Sequence, residues 1–142
     1  FMSNFSFYNF TFYEKTGCSG NAKQKELLKS HNISFSVKSL LDTSWSPETL
    51  SEFFNGLEVI DIFNPFAPQI RDKEIDINTL SKDEAIELMI KNPILIKRPL
   101  LDINGVKICG FDIEKINELL NTNIDTNKKL NTCSSSDSCT NV

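Results

Sequence analysis

Histidine occurs once in the 142 residues, as His31, and positive charge is in deficit. A lone histidine leaves no partner set for a Cys-His hydrolase. The four cysteines are Cys18, Cys109, Cys133 and Cys139. Cys18 and Cys109 stand alone, so a zinc site built from close ligand pairs is not expected, and no metal is. Fifteen Lys and Arg against nineteen Asp and Glu leave a net charge of −4 and a pI near 5.0. That balance excludes a dedicated nucleic-acid binder, which carries a basic domain or face. Apolar runs such as Ile94-Leu95-Ile96 fall far short of the ~20 residues a membrane span requires. The opening residues lack a basic segment followed by an apolar one, so no secretory signal is read. The expectation is a soluble, cytoplasmic protein with free thiols and no membrane partner. Asp72, Glu74 and Asp76 lack the spacing and the glycine of a calcium-binding EF-hand loop.

Hydrophobic residues make up 39% and charged residues 24%, ordinary values for a globular chain. This length suits one domain, which buries about two-thirds of the surface its unfolded form exposes. Aromatic and β-branched residues over 7–13 predict a first strand. Gly17-Cys18-Ser19-Gly20 breaks it, and helix formers fill 21–29. Ile33-Ser34-Phe35-Ser36-Val37 alternates as a strand with one buried face. Strand, helix and strand in so short a span predict a parallel βαβ unit.

Ser46-Pro47-Glu48 opens a helix whose apolar face is Leu50, Phe53 and Phe54. Prolines make residues 63–68 a loop. Ser81 and Glu84 form a capping box for a helix that stops before Pro93. Residues 94–96 and 100–103 read as extended. Asn104-Gly105 marks a hairpin returning through 106–109. Asp112 caps a last helix reaching Leu120. The fold class is therefore α/β: a thioredoxin-like fold with a small mixed sheet, βαβ, a helical insertion over about 46–92, a β-hairpin and a helix. The domain is expected over residues 1–121, with a flexible, polar tail over 122–142.

Cys18 is the sharpest chemical feature, because a thiol at a helix start has its thiolate favoured by unpaired amides and the helix dipole. Lys15, Lys23 and Lys25 add charge nearby, and Gly17 and Gly20 allow close approach of a partner or oxyanion. The plain alternative is a cysteine filling a small loop pocket. Position 21, where a redox dithiol motif has its second cysteine, is Asn21. Any redox cycle is then monothiol. Arg98-Pro99 precedes the strand expected to face Cys18, where thioredoxin-like folds commonly place a cis-proline. Arg98 offers its donor fork to an oxyanion or a glutathione carboxylate; the alternative is a surface arginine in a trans turn. Cys109, on the return strand, is a small core residue or a resolving thiol. Cys133 and Cys139 fall in the tail, and His31 reads as a solvated residue at a helix end.

Phe12-Tyr13-Glu14-Lys15-Thr16-Gly17-Cys18, with Asn21-Ala22-Lys23-Gln24-Lys25 and the stretch from Leu88 through Arg98-Pro99-Leu100, resembles the glutaredoxin-coupled arsenate reductase family. The similarity is greatest to its nitrogenase-associated branch. The resemblance implies that Cys18 is a nucleophile forming a covalent adduct or mixed disulfide, and that Arg98 binds the oxyanion. Lys15, Gly17, Ser19, Gly20, Asn21 and Pro99 would form the surrounding oxyanion or thiol-partner site. The implied co-substrate is glutathione, with no bound cofactor. The implied partners are glutathione or glutaredoxin, a small oxyanion or protein thiol, and a nitrogenase-related protein. Family arsenate reductases use two further arginines; Gly110 and the region of Phe63-Asn64 stand in their places here. A related branch, the Spx-type regulators, binds RNA polymerase without catalysis, and the resemblance also fits such a regulatory module.

Overall fold

A computed structural model describes residues 9–126. Strand β1 (Phe10–Glu14) forms where Phe and Thr alternate, putting Phe10 and Phe12 on one face and Tyr13 on the other. It begins later than the expected 7–13; Phe7 and Tyr8 lie outside the described residues. Helix α1 (Ser19–Ser30) crosses to strand β2 (Ser36–Ser39), which pairs parallel with β1 from Thr11↔Ser36 to Glu14↔Ser39. The expected strand over 33–37 is therefore shifted. Ile33 is buried before pairing begins, whereas β2 itself is an exposed edge strand.

The insertion is helical, as expected. Its elements are α2 (Pro47–Ser51), α3 (Val59–Ile62), α4 (Pro68–Arg71) and α5 (Lys82–Lys91), with short 3₁₀ turns between. Ser46 and Thr49 close a capping box on α2, and Ser81 with Glu84 closes another on α5. The segment 63–68 is irregular except at its ends: Phe63 bridges to Ile96 and Pro68 starts α4. Residues 93–95 form a 3₁₀ turn rather than the expected extended run, because Pro93 fits the first position of a turn.

Strand β3 (Leu100–Ile103) pairs antiparallel with β1, Tyr13 opposite Leu100, and β4 (Val106–Cys109) pairs antiparallel with β3. Asn104 (φ 53°) and Gly105 (φ 89°) make the two-residue turn between them. Helix α6 (Ile113–Leu120) follows its Asp112 cap. Strand order is β2-β1-β3-β4, a mixed sheet. Phe10, Phe12, Leu101 and Ile108 face α1 and α6, while Tyr13 and Leu100 face the insertion. Packing continues beyond Asn121: Ile124 is buried, and Asn117 accepts its N–H at 2.8 Å and donates to its carbonyl. The rest of the expected tail, with Cys133 and Cys139, lies outside the described residues.

Candidate functional site

The sheet gathers the chemistry-bearing residues at one end. Strand β1 finishes at Glu14, and a turn through Gly17 (φ 89°) brings the Cys18 N–H onto the Lys15 carbonyl at 3.0 Å. Cys18 is the N-cap of α1, with extended backbone (φ −80°, ψ 118°), and its carbonyl accepts the Ala22 N–H at 3.1 Å. Because Tyr13 pairs with Leu100, the residues just before β3 lie at this same end. The Arg98-Pro99 bond is cis, as expected, and Arg98 is wholly buried. A guanidinium stays charged in proteins, so residue 98 places a permanent positive charge inside the molecule.

Cys18 is only 3% exposed and belongs to the apolar cluster that joins the insertion to the sheet. Leu28 of the helix it caps packs in the cluster on the other face of the sheet, whereas Cys18 packs with the insertion.

The predicted surroundings divide. Ser19 and Gly17 are exposed, Gly20 is buried within α1, and Lys15 is buried with its ammonium donating to the Thr16 carbonyl at 3.3 Å. Lys25 pairs with Glu14, and Lys23 is exposed. Asn21 is 1% exposed and turns its carboxamide into the fold: Oδ1 accepts the Lys15 N–H at 3.0 Å, and Nδ2 donates to Gln24 Oε1 at 3.0 Å. It holds the Cys18 loop against α1 and is not aimed at a ligand. Gln24 was not singled out from sequence; its place three residues after Asn21, on one helix face, is the signal that would have found it.

Asn64 is structural in the same way. It is buried, its N–H and Nδ2 donate to the carbonyls of Leu95 and Ile94, and its Oδ1 accepts the Phe66 N–H. Cys109 packs against the Cys18 cluster. Burial pushes its thiol up to about 12, with Asp61 adding to the rise and Lys97 opposing it. A thiol so perturbed is inert near neutrality, which weighs against a resolving role. Beyond these, Tyr13, Trp45 and Phe53 pack ring on ring at 5.0–5.8 Å where the insertion meets the sheet. Burial first, then Asp102, raises the Tyr13 phenol. Among the described residues no group of three His, Cys, Asp or Glu could hold a metal ion, and no helix is long and apolar enough to cross a membrane.

Comparison with known proteins bears on the family and the fold. Residues 13–119 match the model of the ArsC family. The chain is 36% identical over 106 residues to an uncharacterized 15.7 kDa protein in the draG 3′ region of Rhodospirillum rubrum, covering 75% of this chain and 74% of that one. It is 27% identical over 117 residues to the global transcriptional regulator Spx 2 of Bacillus cereus, covering 80% and 88%. Arsenate reductase from Vibrio cholerae superposes with a TM-score of 0.66 at 25% identity, covering 80% of this chain and 99% of that one.

Proposed function

The chain belongs to the ArsC family, and from that membership we propose that it is a monothiol oxidoreductase of the nitrogenase-associated branch, with Cys18 as nucleophile and glutathione or a glutaredoxin as reductant. One observation carries the reading: Cys18 caps α1 at the sheet end where the cis Arg98-Pro99 bond and the buried Arg98 charge also lie. The Cys18 thiolate attacks one sulfur of a disulfide and expels the other as a thiolate. A second thiolate then attacks the outer sulfur of the mixed disulfide and returns Cys18, so electrons balance in each exchange. With an oxyanion such as arsenate, the thiolate displaces hydroxide from the central atom. Attack of glutathione thiolate on the Cys18 sulfur then leaves the electron pair on that atom, reduced by two electrons, while the two sulfurs join as a disulfide. Arg98 stabilises the negative charge on the oxyanion or the departing thiolate.

Oxidised glutathione is expected to leave one glutathionyl group on the Cys18 peptide, read by mass spectrometry after digestion. The Cys18→Ser protein should lack it at that peptide. Absence of any adduct at Cys18 in the wild-type chain would overturn the reading.

A second reading rests on the burial of Cys18 among apolar side chains. On it, the chain is a regulatory module that docks through the insertion or residues 63–68. Capture of RNA polymerase or nitrogenase components that survives Cys18→Ser would favour this module.

A further inference from the structure

Asn-Gly occurs twice in the sequence, as Asn55-Gly56 and Asn104-Gly105. Glycine has no Cβ to shield its amide nitrogen, so that nitrogen can reach the carboxamide carbon of the asparagine before it. Both dipeptides are exposed, so access to water does not separate them. Their hydrogen bonds do. Gly105 donates its N–H to Asp102 Oδ1 at 3.0 Å, and Asn104 Oδ1 accepts the Asn9 N–H at 2.9 Å. The attacking nitrogen and the carboxamide are therefore both held. The Asn104 N–H also donates to the Asn9 carbonyl at 2.7 Å, which ties the turn to the residue before β1.

Asn55-Gly56 lies in the insertion, between the 3₁₀ turn Glu52–Phe54 and α3. Asn55 (φ −59°, ψ 129°) and Gly56 (φ 79°) are the central pair of a type II turn, closed by the Leu57 N–H on the Phe54 carbonyl at 3.1 Å. Among the described residues, neither the Asn55 carboxamide nor the Gly56 N–H makes a hydrogen bond. A Cβ built on Gly56 would meet nothing within 4 Å. Once the one turn hydrogen bond opens, the Gly56 nitrogen can swing toward the Asn55 side chain.

We infer that Asn55 is a site of spontaneous succinimide formation and that Asn104, in the same dipeptide, is protected by its hairpin. The Gly56 nitrogen bonds to the Asn55 carboxamide carbon and gives up its proton, and ammonia leaves. Water then adds to one of the two imide carbonyls; opening on one side gives aspartate and on the other isoaspartate, with no change of oxidation state. Each product adds a carboxylate one residue past the Phe54 carbonyl, to which Lys82 Nζ donates at 2.5 Å. Isoaspartate also lengthens the backbone there by a methylene.

Ageing the full chain in mildly alkaline buffer, followed by digestion and mass spectrometry of the two peptides, reads both sites together. In the folded chain Asn55 should convert at least about tenfold faster than Asn104. Isoaspartate should be the larger product at Asn55, confirmed by labelling with an isoaspartate-specific carboxyl methyltransferase. In urea, where both turns are lost, the two sites should convert at similar rates. Equal rates in the folded chain, faster conversion of Asn104, or aspartate without isoaspartate at Asn55 would overturn the inference. A difference that persists undiminished in urea would assign it to flanking sequence and overturn it as well.

Discussion

At the scale of single residues, the two described cysteines have opposite assignments. Burial raises the Cys109 thiol from its ordinary 9.0 to about 12, although Lys97 pulls the other way. An unfolded chain would lose that proton first, so the contribution to stability is complete below about pH 9 and is lost as pH climbs toward 12. The urea midpoint should therefore fall more steeply between pH 8.5 and about pH 10.5 in the wild-type protein than in Cys109→Ala. Parallel slopes would contradict the assignment. Asn21→Ala removes the acceptor of the buried Lys15 N–H and the partner of Gln24, and should lower stability by about 1–3 kcal/mol in denaturant melts. Cys18 and Arg98-Pro99 were legible because each is marked by a local break: a cysteine between glycines before a helix, and an arginine–proline pair before a strand. Lys97 and Gln24 were not, because their neighbours are set by chain crossings and by a helix face that composition alone does not single out.

At the scale of elements, legibility follows locality. The Ser46 helix start, the Ser81–Glu84 capping box and the Asn104-Gly105 turn are written within four residues, and all three form. In α5, Ser81 accepts the Glu84 N–H, while the Ser81 N–H and hydroxyl hold the Glu84 carboxyl below its usual range. Ser81→Ala should lower the unfolding free energy by about 1 kcal/mol and leave the β-sheet signal in place. No change would mean that the cap is redundant with packing. Strand β2 was misplaced because alternation reports burial and not pairing: Ile33 and Phe35 bury themselves, and the hydrogen-bonded ladder begins at Ser36. The 94–96 run was misread for a related reason. Its apolar side chains fill the core whether the backbone is extended or turned, and Pro93 settles the choice.

At the scale of the whole molecule, the sheet order was half legible. The βαβ unit and the hairpin are each local, but their joining through β1 and β3 links residues far apart in sequence. The closure of the insertion over Cys18 left no local mark at all. Trp45, the only tryptophan, sits at that junction: its Nε1 donates to the Leu40 carbonyl, and its ring meets Tyr13 and Phe53. Its fluorescence should change together with the far-UV circular dichroism on unfolding, and Phe53→Ala should lower the unfolding free energy read by both probes by about 3–5 kcal/mol. An earlier fluorescence transition would mean that the insertion lifts off before the sheet melts. The strand order also has a consequence during synthesis. Strand β1 is made first but receives β3 only after residue 100 has emerged, so a ribosome carrying a shorter nascent chain presents β1 with its β3-facing backbone unpaired. Chaperones that hold exposed strands thus have a defined interval in which to meet it, and the interval closes when the hairpin clears the exit tunnel.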